Sequence, residues 1–122
     1  MNRLNMQINF INEIEKLKTV KRQNLTLDNQ RQENSAEHSW HLAVMAMVLM
    51  EQCSVEGLNQ LTIIKMLLIH DLVEIYDGDT FLFDEKARLE ASKKEEAALK
   101  KLVSILPEDQ AESIVNLWHE FE

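Results

Sequence analysis

The chain has 122 residues, 45% of them apolar, and a formal net charge of −8 from Asp+Glu 21 against Lys+Arg 13. The apolar share excludes a disordered acidic tail, and the negative balance repels polyanions, which excludes duplex DNA or long RNA as the main partner. With only 2 Gly and 1 Pro, the turns that many short strands need are nearly absent, so composition predicts an all-α fold in a single domain over residues 1–122.

Acidity does not forbid a small phosphorylated substrate, because a bound dication reverses the local sign. Cys53 is the lone cysteine, so no intrachain disulfide forms, and a reduced thiol in or near the core is expected. The longest purely apolar run, Leu42 to Met50, is about half of a membrane span and lacks the flanks of a signal peptide. These features predict a cytoplasmic protein without membrane partners.

In chain order, Met6, Phe10, Ile11, Ile14 and Leu17 recur at steps of three and four, the stripe of an amphipathic helix from Asn2 to about Lys18. From Thr19 to Ser35 the stripe gives way to polar residues, and a long surface loop of the kind that often carries function is expected. Ser35 is the expected N-cap of a helix from Ala36 to about Cys53, apolar almost all round and therefore read as the central buried element. Within it Met45, Met47 and Met50 read as core filling.

Gly57 closes the next turn, and Leu61 to about Ile75 reads as a third helix, followed by the polar turn Tyr76-Asp77-Gly78-Asp79-Thr80 and the apolar anchor Phe81 to Phe83. Asp84 to Leu106 alternates charged and apolar residues at helical spacing, with Leu89, Ala97, Leu99, Leu102, Val103 and Leu106 as candidate core. Its Lys93-Lys94 and Lys100-Lys101 pairs interleave with Glu90, Glu95 and Glu96 as a solvated face. Pro107 stops this helix, and a fifth begins at Glu108, where Glu108 and Asp109 suit the helix dipole. The expected architecture is a bundle of about five helices.

Chemistry concentrates in the middle. His38 opens the second helix, and His70-Asp71 follows the apolar run Leu67-Leu68-Ile69, with Glu74 three and four residues further on, on the same helical side. A charged Asp beside a His among apolar residues costs several kcal/mol unless it is paired or ligated. Imidazole nitrogen and carboxylate oxygen are the usual donors to catalytic dications. Taken singly, a buried His is more often a hydrogen-bonded core residue than a ligand.

The other candidates are weaker. His41 reads as a helix-packing or outer-sphere residue rather than a ligand. Asp77-Gly78-Asp79 lacks the downstream Glu of a calcium loop. Cys53 has no neighbouring charge to activate it as a nucleophile.

Three segments together are specific: Glu33-Asn34-Ser35-Ala36-Glu37-His38-Ser39-Trp40, Ile69-His70-Asp71-Leu72-Val73-Glu74 and Gly78-Asp79-Thr80. In them the chain resembles the HD-domain metal-dependent phosphohydrolases, and most of all the branch that holds the 5′-deoxynucleotidases. The likeness runs from about Ile11 through Leu117-Trp118-His119-Glu120-Phe121-Glu122. It implies a divalent metal cofactor held by His38, His70 and Asp71. Manganese, cobalt, zinc, nickel, iron and magnesium all remain open.

It further implies that Glu74 and Asp79 are catalytic acids that orient or deprotonate the attacking water, with Asp79 also contacting substrate. Arg22 is implied to hold the phosphate of a (deoxy)nucleoside monophosphate, a role its guanidinium fork suits and Lys21 could share. The aromatic residue that often follows this Arg in the family is replaced by Gln23-Asn24-Leu25.

A last Asp ligand is expected on a helix beyond the Trp-x-Glu-Phe-Glu segment, and the chain stops at Glu122; a fragment is the expectation, a shortened three-ligand homologue the alternative. Pairing into a homodimer is implied as well. Two rival functions stay open: an HD phosphohydrolase for a cyclic, polyphosphorylated or alarmone nucleotide, and a catalytically silent helical module that binds a nucleotide or a partner protein.

Overall fold

The computed structural model of the chain describes residues 2–77 and 85–122. Six α-helices order these residues: α1 (Arg3–Ile14), α2 (Ser35–Leu49), α3 (Gln60–Ile69), the single turn α4 (Glu74–Asp77), α5 (Glu85–Val103) and α6 (Glu108–Phe121). The all-α bundle expected from composition is what forms. The anchor Phe81 to Phe83 and most of the turn before it lie outside the described residues.

Asn2 caps α1 by accepting the Asn5 amide, and a 3-10 turn over Glu15–Thr19 extends the helix. Phe10 and Leu17, seven residues apart, thereby reach the core on one stripe.

The expected surface loop after it is instead a β-hairpin. β1 (Lys21–Leu25) pairs antiparallel with β2 (Gln32–Asn34), with an irregular register between Lys21↔Asn34 and Leu25↔Gln32. Its turn is built from polar side chains and a left-handed residue. The Thr26 hydroxyl donates to Asp28, the Thr26 amide donates to the Arg31 carbonyl, and Asn29 takes φ 58°, a conformation Asn tolerates better than most residues. The strands carry too few apolar residues to alternate, so the usual strand signal is missing.

Asn34, not Ser35, is the N-cap of α2. It accepts the Glu37 amide while Glu37 reaches back to the Asn34 amide, a reciprocal capping box, and Arg31 clamps Glu37 at 2.8 Å. The start of α2 is thus pinned to the hairpin, and the Ser35 amide donates to the Val20 carbonyl at 2.8 Å.

The helix expected over 61–75 is divided. α3 ends at Ile69, and residues 70–73 turn more tightly through Leu72 N–H to Ile69 carbonyl and Glu74 N–H to Asp71 carbonyl bonds.

Two adjoining clusters form the core: Phe10, Leu17, Leu72, Leu102 and Leu106, and Val73, Ala98, Leu99, Val103 and Trp118. Leu72 and Val73 come from the tight turn itself, so the segment that presents His70 and Asp71 is anchored on both sides. Pro107 separates α5 from α6 as expected.

Several burial expectations are corrected. α2 buries only Ser35, Ser39 and Ala43, and it exposes Trp40, Val44, Met45, Met47, Val48 and Leu49, so it is not the buried centre and two of its methionines are not core filling. Cys53 is exposed. In α5 Leu89 is exposed, and Ala98 rather than Ala97 is buried. Among the described residues no helix is long and apolar enough to cross a membrane.

Candidate metal centre

His38, one turn into α2, and His70-Asp71, at the break after α3, meet. Each offers one ligand-type atom, and these atoms lie within 4.8 Å of one another. Donors bonded at about 2.1 Å to one tetrahedral ion are about 3.4 Å apart, so the widest pair would close by up to about 1.4 Å on binding one. The imidazole centroids of His38 and His70 are 6.3 Å apart.

The proton positions follow from the partners. His70 Nδ1 is 2.7 Å from the Leu67 carbonyl oxygen. A carbonyl only accepts, so Nδ1 carries the proton and a neutral His70 presents a lone pair at Nε2. That nitrogen faces Asp71 Oδ1 at 3.1 Å. Two acceptors opposed at this distance repel unless a cation lies between them, either a proton that charges the ring or a metal.

Burial, the largest influence, pushes the His70 imidazole below its usual value of 6.5. Burial does the same to His38, aided by the nearby Arg22. Both rings are therefore held toward the neutral form, the form that can ligate a metal. The donor set fits a divalent metal.

The surroundings are ordered by the hairpin and by the C-terminal helix. Strand alternation turns Arg22 inward and Lys21 outward. Arg22 Nη1 stands 3.9 Å from Asp71 Oδ2, and Nε stands 3.4 Å from Glu33 Oε1. Lys21 is exposed, so Arg22 is the cation at the cluster.

Glu74, on the first residue of α4, accepts a 2.7 Å bond from the fully buried Ser35 hydroxyl. Its charge is felt at His70. Phe121 lays its ring 4.7 Å from that of His70, and the Glu122 charge is felt there too.

Of the residues singled out in the sequence, His38, His70, Asp71, Arg22 and Glu74 are gathered in this region. Asp79 lies outside the described residues. His41 is exposed and stacks on Trp40. Asp109 is engaged by Arg3 through two bonds of 2.8 and 2.9 Å.

The sequence assigned Glu33, Ser35 and Phe121 no part in the site. Glu33 and Ser35 stood inside the Glu33-to-Trp40 segment, and their position on either side of the α2 cap was the available signal.

Known proteins are similar to this chain in sequence and fold. The 5′-deoxynucleotidase HDDC2 of Homo sapiens is 33% identical over 116 residues, which cover 94% of this chain and 55% of the human protein. That of Bos taurus is 34% identical over the same shares. The chain spans a little more than half the length of these relatives.

A crystal structure of a predicted metal-dependent phosphohydrolase from Magnetospirillum magnetotacticum superposes with a TM-score of 0.87 at 44% identity, covering 98% of this chain and 60% of that one. The family model described as HD domain matches residues 14–122. With nearly the whole chain matched by that model, and with its paired His and Asp brought together, the chain belongs to the HD-domain family.

Proposed function

We propose that this chain carries the metal centre of a phosphohydrolase that removes the 5′-phosphate from (deoxy)nucleoside monophosphates. The observation that carries this reading is the opposition of His70 Nε2 and Asp71 Oδ1 at 3.1 Å, with His38 beside them. Two buried acceptors held face to face are stable around a cation. The nucleotide part rests on the similarity to proteins named 5′-deoxynucleotidases.

In this reading His38, His70 and Asp71 hold the ion. Three protein ligands leave positions open for water and substrate, as catalytic sites require. A bound dication polarises phosphoryl oxygens and acidifies water.

Arg22 neutralises charge on the non-bridging phosphate oxygens, for which its place 3.9 Å from Asp71 is suited. Glu74, its Oε2 fixed by Ser35, accepts the proton of the attacking water. Asp79 shares that task and contacts the substrate. Manganese, cobalt, zinc, nickel, iron and magnesium all match the ligands. A homodimer in the cytoplasm completes the reading, and the exposed apolar side of α2 supports the pairing.

The test is phosphate release from a panel of nucleoside monophosphates, cyclic nucleotides and nucleoside polyphosphates, with each metal added after chelation. Metal-dependent release from the 5′-monophosphates is expected. Release confined to cyclic or polyphosphorylated nucleotides would replace the substrate class. Asp71→Ala is expected to abolish turnover while the far-ultraviolet circular dichroism stays helical, and turnover retained in that variant refutes the ligand assignment.

A further inference from the structure

Each imidazole of the cluster needs a partner on one ring nitrogen, because a neutral imidazole ligates only through the nitrogen that lacks the proton. For His70 that partner is the Leu67 carbonyl. For His38 the partner is a side chain. Its Nδ1 faces Glu33 Oε1 at 3.3 Å, and the same oxygen stands 3.4 Å from Arg22 Nε.

Glu33 is in β2 (Gln32–Asn34), one residue before the α2 cap. Its side chain is 19% exposed, against 22% for His38. The backbone beneath it is held twice, by pairing with β1 and by the capping box. The carboxylate is therefore delivered to His38 by a rigid corner rather than by a flexible side chain alone.

We infer that Glu33 is a positioning residue that holds His38 in the Nδ1-protonated tautomer and so reserves its Nε2 for the metal. Arg22 Nε forms an ion pair with the same Glu33 oxygen at 3.4 Å. One carboxylate thus ties the phosphate-binding arginine to a metal-binding histidine. This inference rests on the proposed metal centre. A partner behind a ligating imidazole fixes ring orientation and raises its donor strength, and its removal typically lowers metal affinity about 10- to 100-fold.

The test uses the full chain and two readouts. Long-range proton–nitrogen correlation spectra of the metal-free protein, recorded about two units above the ordinary histidine pKa, report which ring nitrogen carries the proton. His38 is expected as the Nδ1–H tautomer in the wild type and as a mixture rich in Nε2–H in Glu33→Ala. His70 should keep its Nδ1–H signature in both proteins, which verifies that the variant is folded.

Chelator competition with Mn²⁺ then reads affinity. Glu33→Ala is expected to bind about 10- to 100-fold more weakly, and Glu33→Gln, which retains an acceptor oxygen, to recover most of the loss. An unchanged His38 tautomer, or unchanged Mn²⁺ affinity, in Glu33→Ala overturns the role of Glu33. A wild type that holds the tautomer and binds no metal overturns instead the proposed centre, and with it the purpose assigned to Glu33.

Discussion

α2 and the α5–α6 pair use their apolar residues oppositely. α5 and α6 place Ala98, Leu99, Leu102, Val103 and Trp118 inward and most of their charges outward. α2 turns its small and polar residues inward, Ser35, Ser39 and Ala43, and leaves Trp40, Val44, Met47 and Val48 in contact with solvent. The contrast between the two faces of a helix decides which one is buried. The number of apolar residues it carries does not. An evenly apolar helix has no preferred face, and its orientation falls to whatever else it must present, which here is His38.

The largest effects should come from the α5–α6 side. Leu102→Ala removes a side chain with no exposed surface and should cost about 2–5 kcal/mol in chemical denaturation. Val48→Ala on the outer side of α2 should change stability by no more than about 0.5 kcal/mol. Comparable losses at the two positions would break the contrast.

The inner side of α2 offers a finer comparison between two buried serines one turn apart. Ser35 donates to Glu74, whereas the Ser39 hydroxyl has no hydrogen-bond partner among the described residues. Ser35→Ala should therefore cost on the order of 1–3 kcal/mol and lower the turnover of the proposed phosphohydrolase, because Glu74 loses this bond. Ser39→Ala deletes an unsatisfied buried group, and thermal melts should show it neutral or slightly stabilised.

A smaller effect is expected at Glu95 of α5. Burial, then the charges of Glu122 and Glu74, push its carboxyl above the usual 4.5. A raised folded-state value means that its contribution is fully present below 4.5 and is lost as pH rises through the folded value. Glu95→Gln should raise the melting temperature of the chelator-treated protein near neutral pH, and the gain should vanish in mild acid. A gain that persists in acid would point to packing instead.

The smallest change is expected from Arg3→Ala. Its bonds to Asp109 are on the surface, where salt and side-chain entropy erode ion pairs. The Asp109 carboxyl is held below its usual value by Arg3, so what little the pair adds is present above 3.8 and lost as pH falls through the folded value. Added salt should shrink the difference between wild type and variant in thermal melts.

Legibility in the sequence followed the same physics. Helices α1, α5 and α6 were readable because a 3.6-residue period and Pro107 mark them. The burden of a charged Asp71 beside His70 in an apolar run was readable because buried polar groups demand a partner. The addition of His38 to them came from the resemblance of the three motif segments to the HD-domain family. The hairpin was not readable. Lys21–Leu25 and Gln32–Asn34 are held by backbone pairing and by the Asp28–Asn29 turn, with no apolar alternation to announce them. The break at Ile69 was equally hidden, since Leu72 and Val73 suit a continuing helix as well as they suit a tight turn.

By itself the sequence determined the helical class, because composition and periodicity are local properties, and its motif segments supplied the candidate ligands and cofactor through their resemblance to the HD-domain family. Only the tertiary structure decided that Nδ1 is the nitrogen of each imidazole that meets a protein partner, that Glu33 and Ser35 stand behind His38 and Glu74, and that the apolar skin of α2 lies outside. Those outcomes depend on distances between residues far apart in the chain. A one-dimensional pattern carries no such distances until backbone pairing and core packing set them.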